Sequence, residues 1–217
     1  MNKTKKIIAV ILAAVLLLGC LGIFFYCSAQ KGPAVEEIYD RVVYLVESSH
    51  ELNTIFYGAG LPTHAADSIY AQINHIYYDF HYTDTYEMVS SSAKFLSSSE
   101  IKLAAEKIYS KDYLEEVVYP ALFTGHAISD ATGTPHFAHA RYLEDNDWIY
   151  QVIDKNSRFS GILVYDYSTM RVVKPSNSKM CFVEIDYWEE NTPQTVRTQR
   201  LTLVLQNGLW YLDSFAG

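Results

Sequence analysis

The stretches KMCFVEIDYW (residues 179–188), TVRTQRLTLVLQ (195–206) and LWYLDSF (209–215) decide the fold, the last two being joined by Asn207-Gly208. Asn-Gly between alternating apolar runs is the strongest short-range hairpin signal, because both turn residues must take positive φ. A two-residue turn pairs Gln206 with Leu209, hence Leu205 with Trp210 and Leu203 with Leu212. Side chains alternate along a strand, so Leu201, Leu203 and Leu205 share one face. Cys181, Val183, Ile185 and Tyr187 form the apolar face of the preceding strand. A turn around Asn191-Thr192-Pro193 sets Val183 against Leu201 and Cys181 against Leu203. The opposite face then carries Glu184 against Arg200 and Asp186 against Thr198, an expected cross-strand ion pair. Both hairpins agree on which face is the core.

Upstream, Trp148 to Asp154, Ile162 to Tyr167 and Thr169 to Lys174 read as three further strands. Gly125 to His139 reads as a loop, rich in Gly, Thr, Pro and His. Before it the period changes to that of helices. Ala34 to Tyr57 places Ile38, Val42, Leu45, Val46, Leu52, Ile55 and Phe56 on one face, with Glu36 and Glu37 in the first turn. Gly58, Gly60 and Pro62 stop it. Ala66 to Phe80 is expected as a second helix carrying Ile69, Ile73, Ile76 and Phe80. Ser97 with Glu100 has the capping-box pattern and opens a helix to Tyr109. Asp112 to Phe123 is a short helix that Pro120 bends or ends. Helices segregated before an antiparallel sheet make an α+β layer fold, the helices packed on one face of a curved sheet.

Helices followed by long antiparallel strands ending in Gly208-Leu209-Trp210-Tyr211-Leu212-Asp213-Ser214 resemble the cystatin-like roll of the nuclear transport factor two-like superfamily. The resemblance covers about residues 34–217 and implies an exported, membrane-tethered domain of a Gram-positive kind. A second resemblance is to bacterial inhibitors of cell-wall DL-endopeptidases. It rests on Tyr82-Thr83-Asp84-Thr85 and on Tyr113-Leu114 with Phe123-Thr124. Neither resemblance carries functional positions over to this chain.

The N-terminus reads as a membrane address. Lys3, Lys5 and Lys6 precede an uncharged run from Ile7 to Cys27 that includes Leu12, Leu16, Leu18, Ile23, Phe24 and Phe25. Twenty helical residues span about 30 Å, the thickness of the hydrocarbon core. Lysines before the run, and none directly after it, place the N-terminus inside and the rest of the chain outside. Three readings stay open: an uncleaved anchor over residues 1–29, a lipoprotein signal with Leu17-Leu18-Gly19 before a lipidated Cys20, or a signal cleaved after Cys27-Ser28-Ala29. Each exports the domain that begins at residue 34, after a linker over 30–33.

The chain has 217 residues and 17 basic against 25 acidic side chains, a net charge of −8. Apolar residues make up 49% and charged residues 19%, which excludes a wholly disordered chain. The acidic balance also excludes a general nucleic-acid binder, which needs a basic stripe. Without the three N-terminal lysines the count is 14 − 25 = −11, which suits solubility and favours a basic partner or a bound cation. With Cys20 and Cys27 in or beside the apolar run, Cys181 is alone in the exported domain. It reads as a small buried hydrophobe.

Candidate chemistry is sparse. His136 and His139 are three apart, so on a helical turn they share a face and an ion. On a strand they do not, and a metal site needs three or four ligands. His75 and Asp79, four apart, form an oriented acid–base pair if the segment is helical. These four residues are the candidates for ligand contact. Tyrosine occurs 18 times. Tyr77, Tyr78, Tyr82, Tyr86, Tyr109, Tyr113 and Tyr119 serve either a recognition surface or core packing. No phosphate loop, nucleophile elbow or CxxC occurs. No catalytic, cofactor-binding or metal residue is assigned. The expectation is a non-catalytic, membrane-tethered binding domain outside the cytoplasm, with a protein or cell-wall partner, in its specific form an inhibitor of a cell-wall peptidase. The alternatives are a small-molecule enzyme using a roll cavity, and a structural component of an envelope assembly.

Overall fold

The computed structural model describes residues 32–64, 72–77, 82–129, 135–153 and 163–216. Residues 1–31, the expected membrane segment, lie outside the described residues. No helix among the described residues is long and apolar enough to cross a membrane.

Helix α1 spans Val35–Tyr57 and buries all seven apolar positions expected of it. Glu37 turns back to accept from the Ala34 amide at 3.2 Å, which holds the first turn. The last turn contains no basic residue. Its free carbonyls are met from elsewhere: Arg141 donates to Ile55 O at 2.7 Å and to Gly58 O, and the Tyr142 hydroxyl donates to Ile55 O at 2.9 Å. A guanidinium there also complements the negative end of the helix dipole.

The C-terminal sheet has β7 (Leu163–Val173), β8 (Met180–Glu189), β9 (Arg197–Gln206) and β10 (Leu209–Leu212), ordered β10-β9-β8-β7 and antiparallel throughout. Leu205 faces Trp210, Leu203 faces Leu212, Val183 faces Leu201 and Cys181 faces Leu203, the register expected from the turn. Asn207 and Gly208 have φ of 51° and 81°, the pair of positive values that the two-residue turn demands. Cys181, Val183, Ile185, Leu201, Leu203 and Leu212 are wholly buried. Helix α1 contacts both edge strands, β7 and β10, so it lies across this face. The cysteine is a free thiol in the core, its pKa raised by burial.

Two expectations about this sheet change. Strands expected at 162–167 and 169–174 are one eleven-residue strand, β7, with its register shifted between Asp166 and Arg171. Thr169 bridges the irregularity, donating to Asp166 O at 2.7 Å and accepting from the Asp186 amide at 2.9 Å. Glu184 does sit opposite Arg200. Its ion pair, however, is with Arg171 of β7, at 2.8 Å. That guanidinium also reaches Asp186 at 3.9 Å. Arg200 instead lies over the Phe182 ring, 4.4 Å from its centre.

A second sheet contains β1 (Gln72–Tyr77), β2 (Tyr82–Met88), β5 (Tyr142–Asp145) and β6 (Trp148–Val152), ordered β1-β2-β6-β5. It overturns the helix expected over 66–80, since residues 72–77 pair antiparallel with 82–87. Ile73 packs against the buried Tyr86, Tyr150 and Val152, while Ile76 is 47% exposed. Their spacing of three therefore marks opposite strand faces, not one helical face. The expected loop 125–139 holds a short hairpin, β3 (His126–Ser129) with β4 (Pro135–Ala138).

After β2, α2 (Ser98–Ala105) starts as expected. The Ser97 hydroxyl accepts from the Glu100 amide at 3.2 Å, and Glu100 accepts from the Leu96 amide at 2.7 Å. It ends at Ala105, four residues early, because Tyr109 leaves the helical path to bridge Leu212 in parallel. Ser110 then caps α3 (Lys111–Tyr113), which runs on as π turns over Leu114–Val118 and Pro120–Thr124. The wider winding has a cause. A proline ring clashes with the carbonyl four residues back, and shifting to bonds five residues back relieves it. Accordingly the Tyr119 amide donates to Leu114 O and the Gly125 amide to Pro120 O. The result is an α+β protein with a curled antiparallel sheet and few helices.

Candidate functional site

The concave face of the β7–β10 sheet is occupied. Leu45, Val46, Leu52 and Phe56 of α1 join Val183, Ile185, Leu201 and Leu203 in one cluster. The C-terminal tail seals the helix side. Asn53, wholly buried, donates to Ala216 O and accepts from the Tyr109 hydroxyl at 2.7 Å. Ser49, also wholly buried, donates to Val46 O at 2.7 Å. Burial pushes the Tyr109 phenol well up, and neighbouring Tyr113 and Tyr57 add to this. Asn53 thereby ties α1 to Tyr109 and to the tail.

Beyond the mouth of that face lies a stack of rings. Tyr165 stands between Tyr187 and His50, with ring centres 5.7 and 5.6 Å away. Its hydroxyl bonds Gln199 at 2.5 Å, and Tyr167 donates to Glu47 at 2.5 Å. Nε2 of His50 is buried without a hydrogen-bond partner among the described residues. Burial lowers the His50 pKa, opposed by the charge of Glu47.

Outside the core, an open groove of about 350 Å³ runs between the π-wound segment and the β9–β10 turn. Leu114 and Tyr109 make its buried floor. Tyr119, Tyr211, Glu106, Glu115, Lys111, Gln206 and Asn207 complete its lining. The π winding brings Leu114 and Tyr119, five apart, onto one side of the segment. The parallel bridge of Tyr109 to Leu212 brings that segment beside β10. Tyr119 contacts Glu106 Oε1 at 3.5 Å. Its phenol is pushed up by burial first, then by the charges of Glu106 and Glu115. Lys111 lines the groove as well, and Lys102 lies over the Tyr119 ring, 5.4 Å from its centre. Glu115 is 3.6 Å from Lys111 in a well-exposed pair, an interaction of little net strength. Arg41 lies over the Tyr211 and Tyr44 rings, 5.2 Å from each centre, and donates to Trp210 O at 2.7 Å.

The histidines fall elsewhere. His75 lies on the strand β1 opposite Asp84 and not on the expected helix, and its expected partner Asp79 lies outside the described residues. His136 lies on β4, and the extended backbone there removes the helical spacing that a shared ion with His139 required. His139 instead meets Asp84, Nδ1 to Oδ2, at 3.1 Å. The fold thus brings His139 to the carboxylate of Asp84, whose partner across the strand pair is His75. Among the described residues no three His, Cys, Asp or Glu side chains are grouped to hold a metal ion. Of the tyrosines, Tyr86 and Tyr109 are core, and Tyr119 lines the groove. The adjacent pair Glu115-Glu116 reads in the sequence as helix solvation, and Tyr211 and Glu106 carry no local signal because they meet only in the fold. The one local signal was Asn207-Gly208, whose Asn207 lines the groove.

The chain matches no protein-family model and no curated protein sequence.

Proposed function

We propose that the chain is a non-catalytic binding domain, held outside the cytoplasm by residues 1–29 and built on a roll of the nuclear transport factor two-like kind. Its partner is a protein of the bacterial envelope, in the specific form a cell-wall peptidase that it restrains. One observation carries this reading. The concave face, where a roll enzyme would keep its substrate, is filled by α1, while an open groove with an aromatic and charged lining faces outward. Recognition by Tyr suits this, since the ring gives contact area at low entropy cost and the hydroxyl gives direction. The net charge of −8 favours a basic partner.

The test is chemical crosslinking in intact envelopes, together with wall turnover in a deletion strain. A specific protein adduct and altered turnover are expected. No adduct, with turnover unchanged, would overturn the reading.

A further inference from the structure

We infer that the end of the C-terminal sheet carrying the β7–β8 and β9–β10 turns rests on the lipid surface, with Leu205, Leu209 and Met180 in the interfacial layer. This rests on the reading of residues 1–29 as a retained anchor and goes beyond it by assigning the face of the domain that meets the bilayer. Gly32, the first described residue, packs on the β7–β8 turn so closely that a Cβ there would lie 2.7 Å from Ser176 Cβ. The turn is well held. The Ser176 hydroxyl donates to Val173 O at 2.5 Å and accepts from the Phe182 amide at 3.0 Å. Asn177 Oδ1 accepts from the Lys179 and Met180 amides at 2.8 and 2.9 Å. Gly32 comes five residues after Cys27, the last of the apolar run, so at most about 18 Å of chain separates them. The headgroup layer takes up about 5–8 Å of that reach, so a retained anchor keeps the β7–β8 turn close above the lipid.

The topology says what else lies at that end. In the order β10-β9-β8-β7 the β7–β8 and β9–β10 turns share one end of the sheet, and the β8–β9 connection lies at the other. Helix α1 runs between the two ends. Arg41, in its first half, donates to Trp210 O, while His50, in its second half, stacks on Tyr165, which pairs with Tyr187 toward the β8–β9 end. The anchored end exposes Leu209 at 52%, Leu205 at 38% and Met180 at 37%. Met180 faces Val204 and Leu209 faces Gln206, so all three sit beside the two turns. At the far end residues 190–198 are all exposed, with Val196 their one large apolar side chain. Apolar side chains scattered singly over a surface are ordinary, whereas three beside the anchor form a patch that lipid would cover. Charge at this end is mixed. Lys174 and Lys179 are exposed at the β7–β8 turn, while Glu36, Glu37 and Asp40 stand in the first two turns of α1. The nearby groove adds Lys111 against Glu106 and Glu115. The contact is therefore apolar first and depends little on lipid charge.

The experiment uses the full chain with Cys20→Ser and Cys27→Ser, reconstituted in vesicles of phosphatidylcholine and, separately, of phosphatidylcholine with phosphatidylglycerol. Both carry a lipid with a nitroxide headgroup. A nitrobenzoxadiazole fluorophore is attached at Leu209→Cys or, at the far end, at Val196→Cys, the remaining Cys181 being buried. Quenching at Leu209 is expected to be at least about twofold in both lipids. At Val196 it should stay under about 1.2-fold, because the 23 residues of α1 set the far end about 34 Å away. Replacing two neighbours, Leu205→Asn with Met180→Asn, should remove about half or more of the quenching at Leu209. No quenching at Leu209, equal quenching at Val196, or quenching confined to the anionic vesicles would overturn the inference. So would quenching unchanged by the two asparagines, since the tether alone would then hold the label near lipid. Flotation after an alkaline wash reads the anchor separately. Chain that floats without quenching removes the inference alone, and chain that does not float removes the anchor with it.

Discussion

Replacing Tyr109 by Phe removes one oxygen from the middle of the molecule. The ring remains, so the floor of the groove and its packing against Phe56 persist, the two ring centres being 6.2 Å apart. What changes is Asn53. Its Oδ1 accepts the tyrosine hydroxyl at 2.7 Å, and Asn53 is wholly buried, so water cannot replace the donor. An orphaned buried acceptor costs about 1–3 kcal/mol. For a domain of this size each kcal/mol lowers Tm by about 2–4 °C, so Tm should fall by about 2–12 °C. Thermal melts followed by circular dichroism measure this. The same substitution in an Asn53→Ala background should cost less than about 0.5 kcal/mol, because no acceptor is left to orphan. An unchanged Tm in the single variant, or the same loss in both backgrounds, would refute an essential Tyr109–Asn53 bond.

Three further outcomes are expected. Arg141→Ala leaves the Ile55 and Gly58 carbonyls of α1 without their charged donor and should cost about 1.5–3 kcal/mol by urea denaturation, with Arg141→Lys recovering only part. His50 has a folded pKa below its free value of 6.5, so the unfolded chain binds more protons just below that pH. Stability is then present above pH 6.5 and lost as pH falls toward the folded pKa, and His50→Phe, which keeps a ring against Tyr165, should show a smaller loss over that window in pH-dependent melts. Gly60 has φ of 82°, and a Cβ there would run into Gln151 Oε1, the atom that accepts the Leu61 amide. Gly60→Ala should therefore cost about 1–3 kcal/mol in the same denaturation assay, and an unaffected midpoint would contradict it.

The terminal sheet was legible because its turn chemistry and its alternation specify the same register. Asn207-Gly208 fixes the pairing, and Leu201, Leu203, Cys181 and Val183 confirm the buried face. Helix α1 was legible because seven apolar positions repeat at helical spacing over 23 residues. The first sheet was not. Two isoleucines three apart fit a helix as well as two strand faces, and only pairing with Tyr82–Glu87 separates the cases. Asn146 and Asp147, with φ of 48° and 67°, make the same kind of turn as Asn207-Gly208. Without a glycine it went unread, and β5 with it. The groove could not be seen at all. Glu106, Glu115 and Tyr211 meet only because Tyr109 bridges Leu212 and Pro120 widens the helix. Arg141 carries no local signal, since its task depends on where α1 ends.

The central claim is that recognition occurs on the outer groove and not within the sheet. Site-specific photo-crosslinking in living cells tests it most directly, with the crosslinker placed at Glu115 or Tyr211 and, as a control, at Val196 in the distant β8–β9 connection. The expected result is one protein adduct from both groove positions and none from Val196. Equal labelling from all three positions, or none from either groove position, would contradict it.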